Sequence, residues 1–424
     1  MEFLLALLVL LGFARLLGEA GERVGIPALV GELAAGIILG PALLGWIAPT
    51  DSLALLANLG IFFLVYLAGM ELTIRDVKRS LRGSATVVAM ASFVAPFAIG
   101  VMVASFFGFA FSTALFVGIA LGLTALPVSI RVLTYFGKLD TEWGRTVVTA
   151  GLLCDIAGLA IVGLLNTWIR AGYVFDPQTV LLMSVKLGLF AAAIVATEKV
   201  LRLHDGAVAR WLLRNSQRFI SKGASFALPF VGALGYAFLA EALGLHFVLG
   251  AFFGTLLLSE HLLRKQEAKQ VHDATALVTT GLFAPLFFAF IGLNFAPPSL
   301  SNVLLLGALL IAALVGKVLG GYIGAALARF DGWDRWAIGF GMNGRGAMEL
   351  VVATIGLEAG ILDAGLFSML VVIGVVTTVM TPIALKQIIR AQQASGAGGD
   401  VVAGPSPRSR RVSTDRAAPR RPPA

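Results

Sequence analysis

Residues 146–165 read TVVTAGLLCDIAGLAIVGLL, a stretch in which Asp155 is the only charged side chain. A helix of about 20 apolar residues crosses a bilayer, because each residue adds about 1.5 Å to a span of about 30 Å. Comparable apolar blocks recur along the 424-residue chain, which is 58% hydrophobic and only 13% charged. Soluble domains carry about 25% charged residues. The sequence therefore predicts an all-α polytopic membrane protein.

The apolar blocks predict about 13 transmembrane segments, each of a length that suits a bilayer. Their predicted bounds are 2–18, 26–47, 52–71, 83–107, 111–137, 142–170, 178–202, 222–242, 245–263, 273–295, 299–328, 333–357 and 361–389. Lys and Arg concentrate in the connections after the odd-numbered segments and in the C-terminal tail. The positive-inside rule then predicts an N-terminus outside and a C-terminus in the cytoplasm of a multi-pass cell (inner) membrane protein.

The end of the chain differs from the rest in composition. Residues 391–424 are rich in Gly, Ser, Pro and Arg and contain almost no large apolar side chain. Such a segment cannot bury enough surface to offset the entropy of ordering. We predict a transmembrane domain over residues 1–390 followed by a disordered basic cytoplasmic tail. The net charge of +8 reflects this topology and does not indicate a nucleic-acid partner.

Two pairs of motifs suggest an internal repeat. Residues 59–72 (LGIFFLVYLAGMEL) resemble residues 282–295 (LFAPLFFAFIGLNF), and the Gly-x-x-x-Gly motif at residues 36–40 matches that at residues 250–254. Each pair is separated by an odd number of segments, so the second copy runs through the membrane in the opposite direction. The motifs thus favour inverted repeats, the architecture of many secondary transporters. Chance similarity between apolar helices is the alternative.

Asp155 is the first candidate functional residue. It lies ten positions beyond Arg145, or about 15 Å into the membrane. An ionisable residue at that depth is costly and is a functional hypothesis by default. A desolvated carboxyl group favours its protonated form, whereas a bound cation favours the ionised form. Competition between the two would couple a cation flux to a proton flux. The alternative is a structural ion pair with a buried Lys or Arg.

The fifth segment contains GIALGLTALPVSIRVL at residues 118–133. Pro127 has no N–H and clashes with the preceding turn, so the helix should break between Thr124 and Pro127. Broken backbone at membrane depth is tolerated where it lines a cavity, and there it frees carbonyl groups to meet ions. The Thr124 and Ser129 hydroxyls would add oxygen ligands. A simple proline kink is the alternative.

The twelfth segment reads GFGMNGRGAMELVVATIGLEAGIL at residues 339–362. Asn343 and the surrounding glycines predict a second interrupted helix. If this stretch is helical, Arg345 and Glu349 are four residues apart and can pair on one face, either in transport or only to hold the fold. Lys317, deep in the eleventh segment, requires a carboxylate or a helix C-terminus, and Asp155 is an attractive partner.

Together these motifs resemble the monovalent cation:proton antiporter-2 family over residues 1–390. Its most specific elements are IPALVGELAAGIILGP (26–41), HFVLGAFFGTLLLSE (246–260), LFAPLFFAFIGLNF (282–295) and GFGMNGRGAMELVVATIGL (339–357). It implies a homodimer that exchanges Na+ or K+ for H+ by elevator-like alternating access. It also implies that the two broken segments cross beside the ion site, with Asp155 as the essential carboxylate and Lys317 as the basic residue of the family.

One position departs from the pattern of the family. Many Na+-exchanging relatives carry Asp-Asp in the sixth segment and Kef-type relatives carry Gln-Asp, whereas this chain has Cys154-Asp155. With a single carboxylate, one-for-one electroneutral exchange is the simpler hypothesis. A thiol is a poor ligand for a hard alkali cation, so we expect Cys154 to pack or to form weak hydrogen bonds.

Other functional classes remain to be weighed. A Na+-coupled organic-anion symporter or a cation channel would also use broken helices, but buried charges of both signs favour exchange. An enzyme is not expected, since the spans contain no paired nucleophile and base. The four histidines lack metal-ligand spacing, so neither a cofactor nor a metal beyond the transported alkali cation is predicted. Selectivity depends on cavity size and on carbonyl oxygens, so the sequence leaves the choice between Na+ and K+ open.

Overall fold

The computed structural model describes residues 3–24, 26–71, 73–74, 83–124, 130, 133, 137–139, 141–170, 172, 177–203, 224–263, 265–297 and 302–394. Within these ranges the secondary structure is helical and contains no β-strand. The α-helices are α1 (Phe3–Arg23), α2 (Ala28–Leu39), α3 (Asp51–Met70), α4 (Ser84–Phe106), α5 (Phe111–Gly122), α6 (Glu142–Arg170), α7 (Pro177–Leu203), α8 (Ala224–Ala242), α9 (Phe247–Leu262), α10 (Lys265–Val278), α11 (Ala284–Leu293), α12 (Val303–Leu327), α13 (Gly332–Gly341), α14 (Ala347–Glu358) and α15 (Ala364–Ala394).

The predicted all-α membrane fold with about 13 segments is confirmed. Seven of the described helical stretches are long and apolar enough to cross a membrane, and several shorter apolar helices lie between them. Segment 6 coincides with α6. Segments 1 to 9 correspond to α1 to α9, segment 10 to α10 and α11, segment 11 to α12, segment 12 to α13 and α14, and segment 13 to α15.

Some boundaries differ from the prediction, each for a local reason. The helix of segment 2 ends at Leu39 and not at residue 47, because Gly40 and Pro41 follow and Gly45 adopts a positive φ of 62°. A π-helical turn at Thr279–Phe283 separates α10 from α11, which the sequence did not predict. The last helix continues to Ala394, so residues 391–394 of the predicted tail are helical, and residues 395–424 lie outside the described residues.

The repeated motifs make equivalent contacts in the two halves. Gly69 of α3 packs on α9, where an added Cβ would lie 2.8 Å from the carbonyl oxygen of Phe252. Its counterpart Gly292 of α11 packs on α2, where a Cβ would lie 2.3 Å from the carbonyl oxygen of Leu33. Segments 3 and 9 in one contact correspond to segments 10 and 2 in the other. The packing therefore has the symmetry expected of inverted repeats.

The contact between α4 and α12 places a charged residue in the core. Gly316, Gly320 and Gly324 of α12 lie against Pro96, Ala91 and Val88 of α4 so closely that Cβ atoms would come within 3 Å of their atoms. Small residues let two helix backbones approach in this way. Lys317, next to Gly316, is consequently carried into the interior, where its side chain is fully buried.

Candidate ion site at the crossing of two broken helices

The helix of the fifth segment ends just before the break that the sequence predicted between Thr124 and Pro127. The helix α5 ends at Gly122, and Leu123 has extended dihedral angles of φ −70° and ψ 158°. The last carbonyl groups of a helix have no amide donors of their own, and they carry the negative end of the helix dipole. Thr124 follows and is buried. Pro127 and Ser129, predicted as helix breaker and cation ligand, lie outside the described residues.

Two buried cations meet the carbonyl end of α5. Arg345 donates hydrogen bonds from Nη1 to the Ala120 carbonyl at 3.2 Å and from Nη2 to the Leu121 carbonyl at 2.7 Å. Lys317 donates from Nζ to the Gly122 carbonyl. Basic groups at a helix C-terminus stabilise it through the exposed carbonyls and the dipole. Of the two partners considered for Lys317 from the sequence, the structure provides the helix end.

The twelfth segment is interrupted between Gly341 and Ala347, and Arg345 lies inside this interruption. Its Nη1 is 3.1 Å from Oε1 of Glu349, which occupies the first turn of α14. The expected pair forms, and the helix interruption predicted around Asn343 is present beside it. Both side chains are buried, and neither Oε2 of Glu349 nor Nε of Arg345 has a hydrogen-bond partner among the described residues.

Asp155 lies near this crossing without joining its hydrogen bonds. Its side chain is partly exposed as a whole, yet Oδ1 is buried and has no hydrogen-bond partner in the described part of the chain. The charged groups that act on it electrostatically are Lys317 and Glu71. The Lys317 ammonium group is hydrogen-bonded to the Gly122 carbonyl. Within the described part of the chain it forms no ion pair with Asp155. Asp155 thus keeps a carboxylate oxygen without a committed partner.

The neighbours of Asp155 supply oxygen and sulfur atoms. The Cys154 thiol donates to the Ala89 carbonyl at 3.7 Å and lies 3.9 Å from the Ser92 hydroxyl. The Thr124 hydroxyl lies beside the same thiol. These sulfur contacts are long and weak, as is usual for a thiol donor. Cys154 therefore packs between Thr124 and α4.

Hydroxyl groups of α15, which were not predicted from the sequence, contact Arg345 and Asn343 in the interruption of the twelfth segment. Thr378 donates to the Arg345 carbonyl at 2.6 Å, and Asn343 donates from Nδ2 to the Thr381 hydroxyl at 3.3 Å. The Asn343 Oδ1 atom is buried and has no partner among the described residues. The motif TTVMTP at residues 377–382 was a detectable signal, since three threonines in the last apolar span are unusual.

Three side chains in this region have oxygen atoms that are not engaged by the protein. Asp155, Asn343 and Glu349 each retain a buried oxygen without a hydrogen bond to the described residues. Oxygen atoms are the ligands that hard cations prefer. No group of His, Cys, Asp or Glu side chains with metal-ligating geometry occurs in the described ranges.

The sequence matches the family model described as "Sodium/hydrogen exchanger, transmembrane" over residues 4–391. The chain belongs to this family. The predicted resemblance to monovalent cation:proton antiporters is therefore confirmed. Members of such a family are transporters, which agrees with the expectation that the chain is not an enzyme.

Several characterised relatives match most of the chain. It is 29% identical to the Na(+)/H(+)-K(+) antiporter GerN of Bacillus cereus, over 91% of this chain and 96% of the relative. It is 27% identical to a Na(+)/H(+) antiporter of Enterococcus hirae, over 91% of this chain and 98% of the relative.

A solved structure shares the fold. The sodium proton antiporter MjNhaP1 from Methanocaldococcus jannaschii superposes with a TM-score of 0.62, covering 94% of this chain and all of that one at 16% identity. At that identity the likeness concerns the fold alone.

Proposed function

We propose that the protein exchanges a monovalent cation, Na+ or K+, for H+ by alternating access, and that Asp155 binds the two in turn. The observation that carries this proposal is the buried Asp155 Oδ1 atom without a hydrogen-bond partner in the described structure. A carboxylate at membrane depth is costly, and it is a functional candidate by default.

The buried charged groups around Asp155 already have other hydrogen-bond partners. Arg345 binds Glu349 and the end of α5, and Lys317 binds the last carbonyl of α5. Asp155 is therefore the buried carboxylate that can change partner at low cost. A proton and a cation compete for it, because protonation removes the charge that holds the cation. That competition couples the two fluxes.

The other predicted site residues have supporting roles in this proposal. Thr124 and Ser129 contribute oxygen ligands, and Pro127, Cys154 and Asn343 shape the break and line the site. Lys317, Arg345 and Glu349 balance charge and hold the two broken helices together. The protein works as a homodimer in a cell membrane, with the N-terminus outside and the C-terminus in the cytoplasm. Neither a cofactor nor nucleic acid takes part.

The direct test uses purified protein in proteoliposomes with a pH-sensitive dye. Addition of Na+, K+, Li+ and Rb+ in turn should cause dequenching with at least one cation, and Asp155→Asn should abolish the response. Asp331→Asn is the matched control, because the Asp331 side chain is 92% exposed and lies at the start of α13. Full exchange by Asp155→Asn would refute the proposal. Na+ uptake that is stimulated by an organic anion and moves no protons would indicate the symporter instead.

Stoichiometry has a separate test. With one carboxylate, exchange of one cation for one proton is electroneutral, so its rate should not respond to an imposed membrane potential. Cys154→Asp adds a second carboxylate and should make the rate dependent on the potential. A wild-type rate that already responds to the potential would contradict one-for-one exchange.

A further inference from the structure

The helices of the described chain pack as two bundles. The first bundle contains α1 to α3 and α8 to α11, and the second contains α4 to α6 and α12 to α15. Inside the bundles neighbouring helices pack closely, as α11 does on α2 and α3 and as α14 does on α5 and α15. The main direct contact between the bundles is that of α6 with α9, and α7 touches these same two helices. The bundles are therefore connected to each other much less closely than the helices inside each of them.

A cleft of about 410 Å³ separates the bundles at the end of the molecule that we assign to the outside. One wall is formed by the start of α3 and the end of α11, including Asp51 and Asn294. The other wall is formed by the end of α14 and the start of α15, including Glu358 and Phe367. Asp51 and Glu358 are exposed, and carboxylates on opposite walls repel each other. Over this part of the boundary the bundles are not packed against each other.

A buried serine bridges the two bundles beside this cleft. Ser368 of α15 follows the cleft residue Phe367 and has no exposed surface. Its hydroxyl donates to the Ala364 carbonyl of its own helix at 2.7 Å and accepts a hydrogen bond from the Ala296 amide at 2.8 Å. Ala296 lies just beyond the end of α11, so the second hydrogen bond joins the bundles. A hydroxyl can donate one hydrogen bond and accept two, so both contacts form at the same time.

The chain around Ala296 is tied to the first bundle. The amides of Asn294 and Phe295 donate to carbonyl groups in the last turn of α11, at 3.1 Å to Ile291 and at 3.1 Å to Gly292. Ala296 is then followed by two prolines, which have no N–H and a fixed φ. The Ala296 amide is therefore held at the end of α11 and has little freedom to follow α15 if the bundles separate.

We propose that Ser368 is a positioning residue for exchange, and that its hydrogen bond with Ala296 is a latch between the bundles. Alternating access requires the second bundle, which carries Asp155 on α6, to move relative to the first. A hydrogen bond of this kind spans about 2.7–3.2 Å, so it does not survive a larger displacement. The latch therefore opens in each cycle, and until then it holds the bundles in the position that the structure shows. This proposal rests on the proposed exchange function and adds a residue that controls its movement.

Reversible cross-linking tests whether the latch opens. In the double variant Ala296→Cys/Ser368→Cys, a short bifunctional thiosulfonate should join the bundles, and the mass of the intact protein measures the cross-linked fraction. Exchange in proteoliposomes should fall in proportion to that fraction and should return after reduction. Cys154, the only native cysteine, is buried, and the two single variants control for its reaction.

A matched control pair lies within the second bundle at the same end of the molecule. Thr113 at the start of α5 donates to the Ile361 carbonyl, between α14 and α15, at 3.0 Å. Cross-linked Thr113→Cys/Ile361→Cys should keep full exchange, because these helices move together. Full exchange by the cross-linked Ala296→Cys/Ser368→Cys variant would overturn the proposal.

Substitution of Ser368 tests whether the latch holds the bundles. Ser368→Ala removes the acceptor of the Ala296 amide and should raise the exchange rate at saturating cation about fivefold, which corresponds to one neutral hydrogen bond of about 1 kcal/mol. Ser368→Thr keeps the hydroxyl and should keep the wild-type rate, and Thr113→Val, which removes a bond within one bundle, should not raise it. A Ser368→Ala rate equal to or below that of the wild type contradicts the proposal. Wild-type protein without any cation–proton exchange would refute the proposed function, whereas an active protein that still exchanges when cross-linked would refute only the latch.

Discussion

The crossing of α2 with α11 and the crossing of α5 with α14 both bring helices together inside the membrane, by opposite means. At the first, Gly36 and Gly292 provide no side chains, and a Cβ on Gly36 would lie 1.9 Å from the Ala289 carbonyl oxygen. At the second, the fully buried Arg345 and Lys317 fill the contact with charge. The glycine crossing depends on the close approach of two helix backbones, and the glycines at this contact carry no group that binds a proton or a cation. The charged crossing depends on hydrogen bonds that respond to both.

The glycine crossing should fail completely when its shape is changed. Gly36→Leu forces α2 away from α11, because the new side chain would occupy the position of the Ala289 carbonyl. We expect loss of the monodisperse peak in size-exclusion chromatography of detergent-solubilised protein. Gly12→Leu in α1 is the control, since nothing lies within 4 Å of a Cβ there. A normal peak for Gly36→Leu would show that the close contact is dispensable.

The charged crossing should lose both stability and transport when Arg345 is removed. Arg345→Ala leaves Glu349 buried without its partner, a change that typically costs about 3–5 kcal/mol. The loss is measured as a lower melting temperature in detergent. If the pair only holds the fold, Arg345→Met combined with Glu349→Leu should recover much of the stability and exchange should return with it. Recovered stability without exchange would assign the pair to transport.

Lys317→Met should have a smaller effect on stability. It removes one hydrogen bond from the end of α5, and the Gly122 carbonyl is then left without that donor at a cost of about 1–3 kcal/mol. Thermal unfolding measures this change. Lys186→Met is the matched control, because Lys186 is also deep in a helix but makes no ion pair in the described ranges. Equal destabilisation by the two substitutions would contradict a capping role for Lys317.

The smallest effect is expected at Cys154. Its thiol makes only weak contacts at 3.7 and 3.9 Å, so Cys154→Ser should change stability by about 1 kcal/mol or less. The apparent affinity for the transported cation, measured by dye dequenching over a concentration series, should also stay the same. A large change in affinity would indicate that Cys154 belongs to the ligands and not to the packing around them.

Local chemistry was sufficient to predict much of this protein. Apolar blocks of bilayer length predict spans wherever they occur, and a charge such as Asp155 inside one is costly in any membrane fold. The interruption near residue 343 follows from glycines that weaken a helix at their own positions. The glycines of the GxxxG motifs, which the sequence indicated only as repeat elements, lie at close helix contacts in the structure.

Only the tertiary structure determined the hydrogen-bond partners of the buried charged residues. Lys317 and Arg345 bind carbonyl groups of α5 that lie 195 and 224 residues away, and a backbone carbonyl has no identity in the sequence. Asp155 was an attractive partner for Lys317 on charge alone, but the oriented carbonyl end of a broken helix was nearer. Sequence determines which polar groups enter the membrane, and packing determines which of them remain free to act.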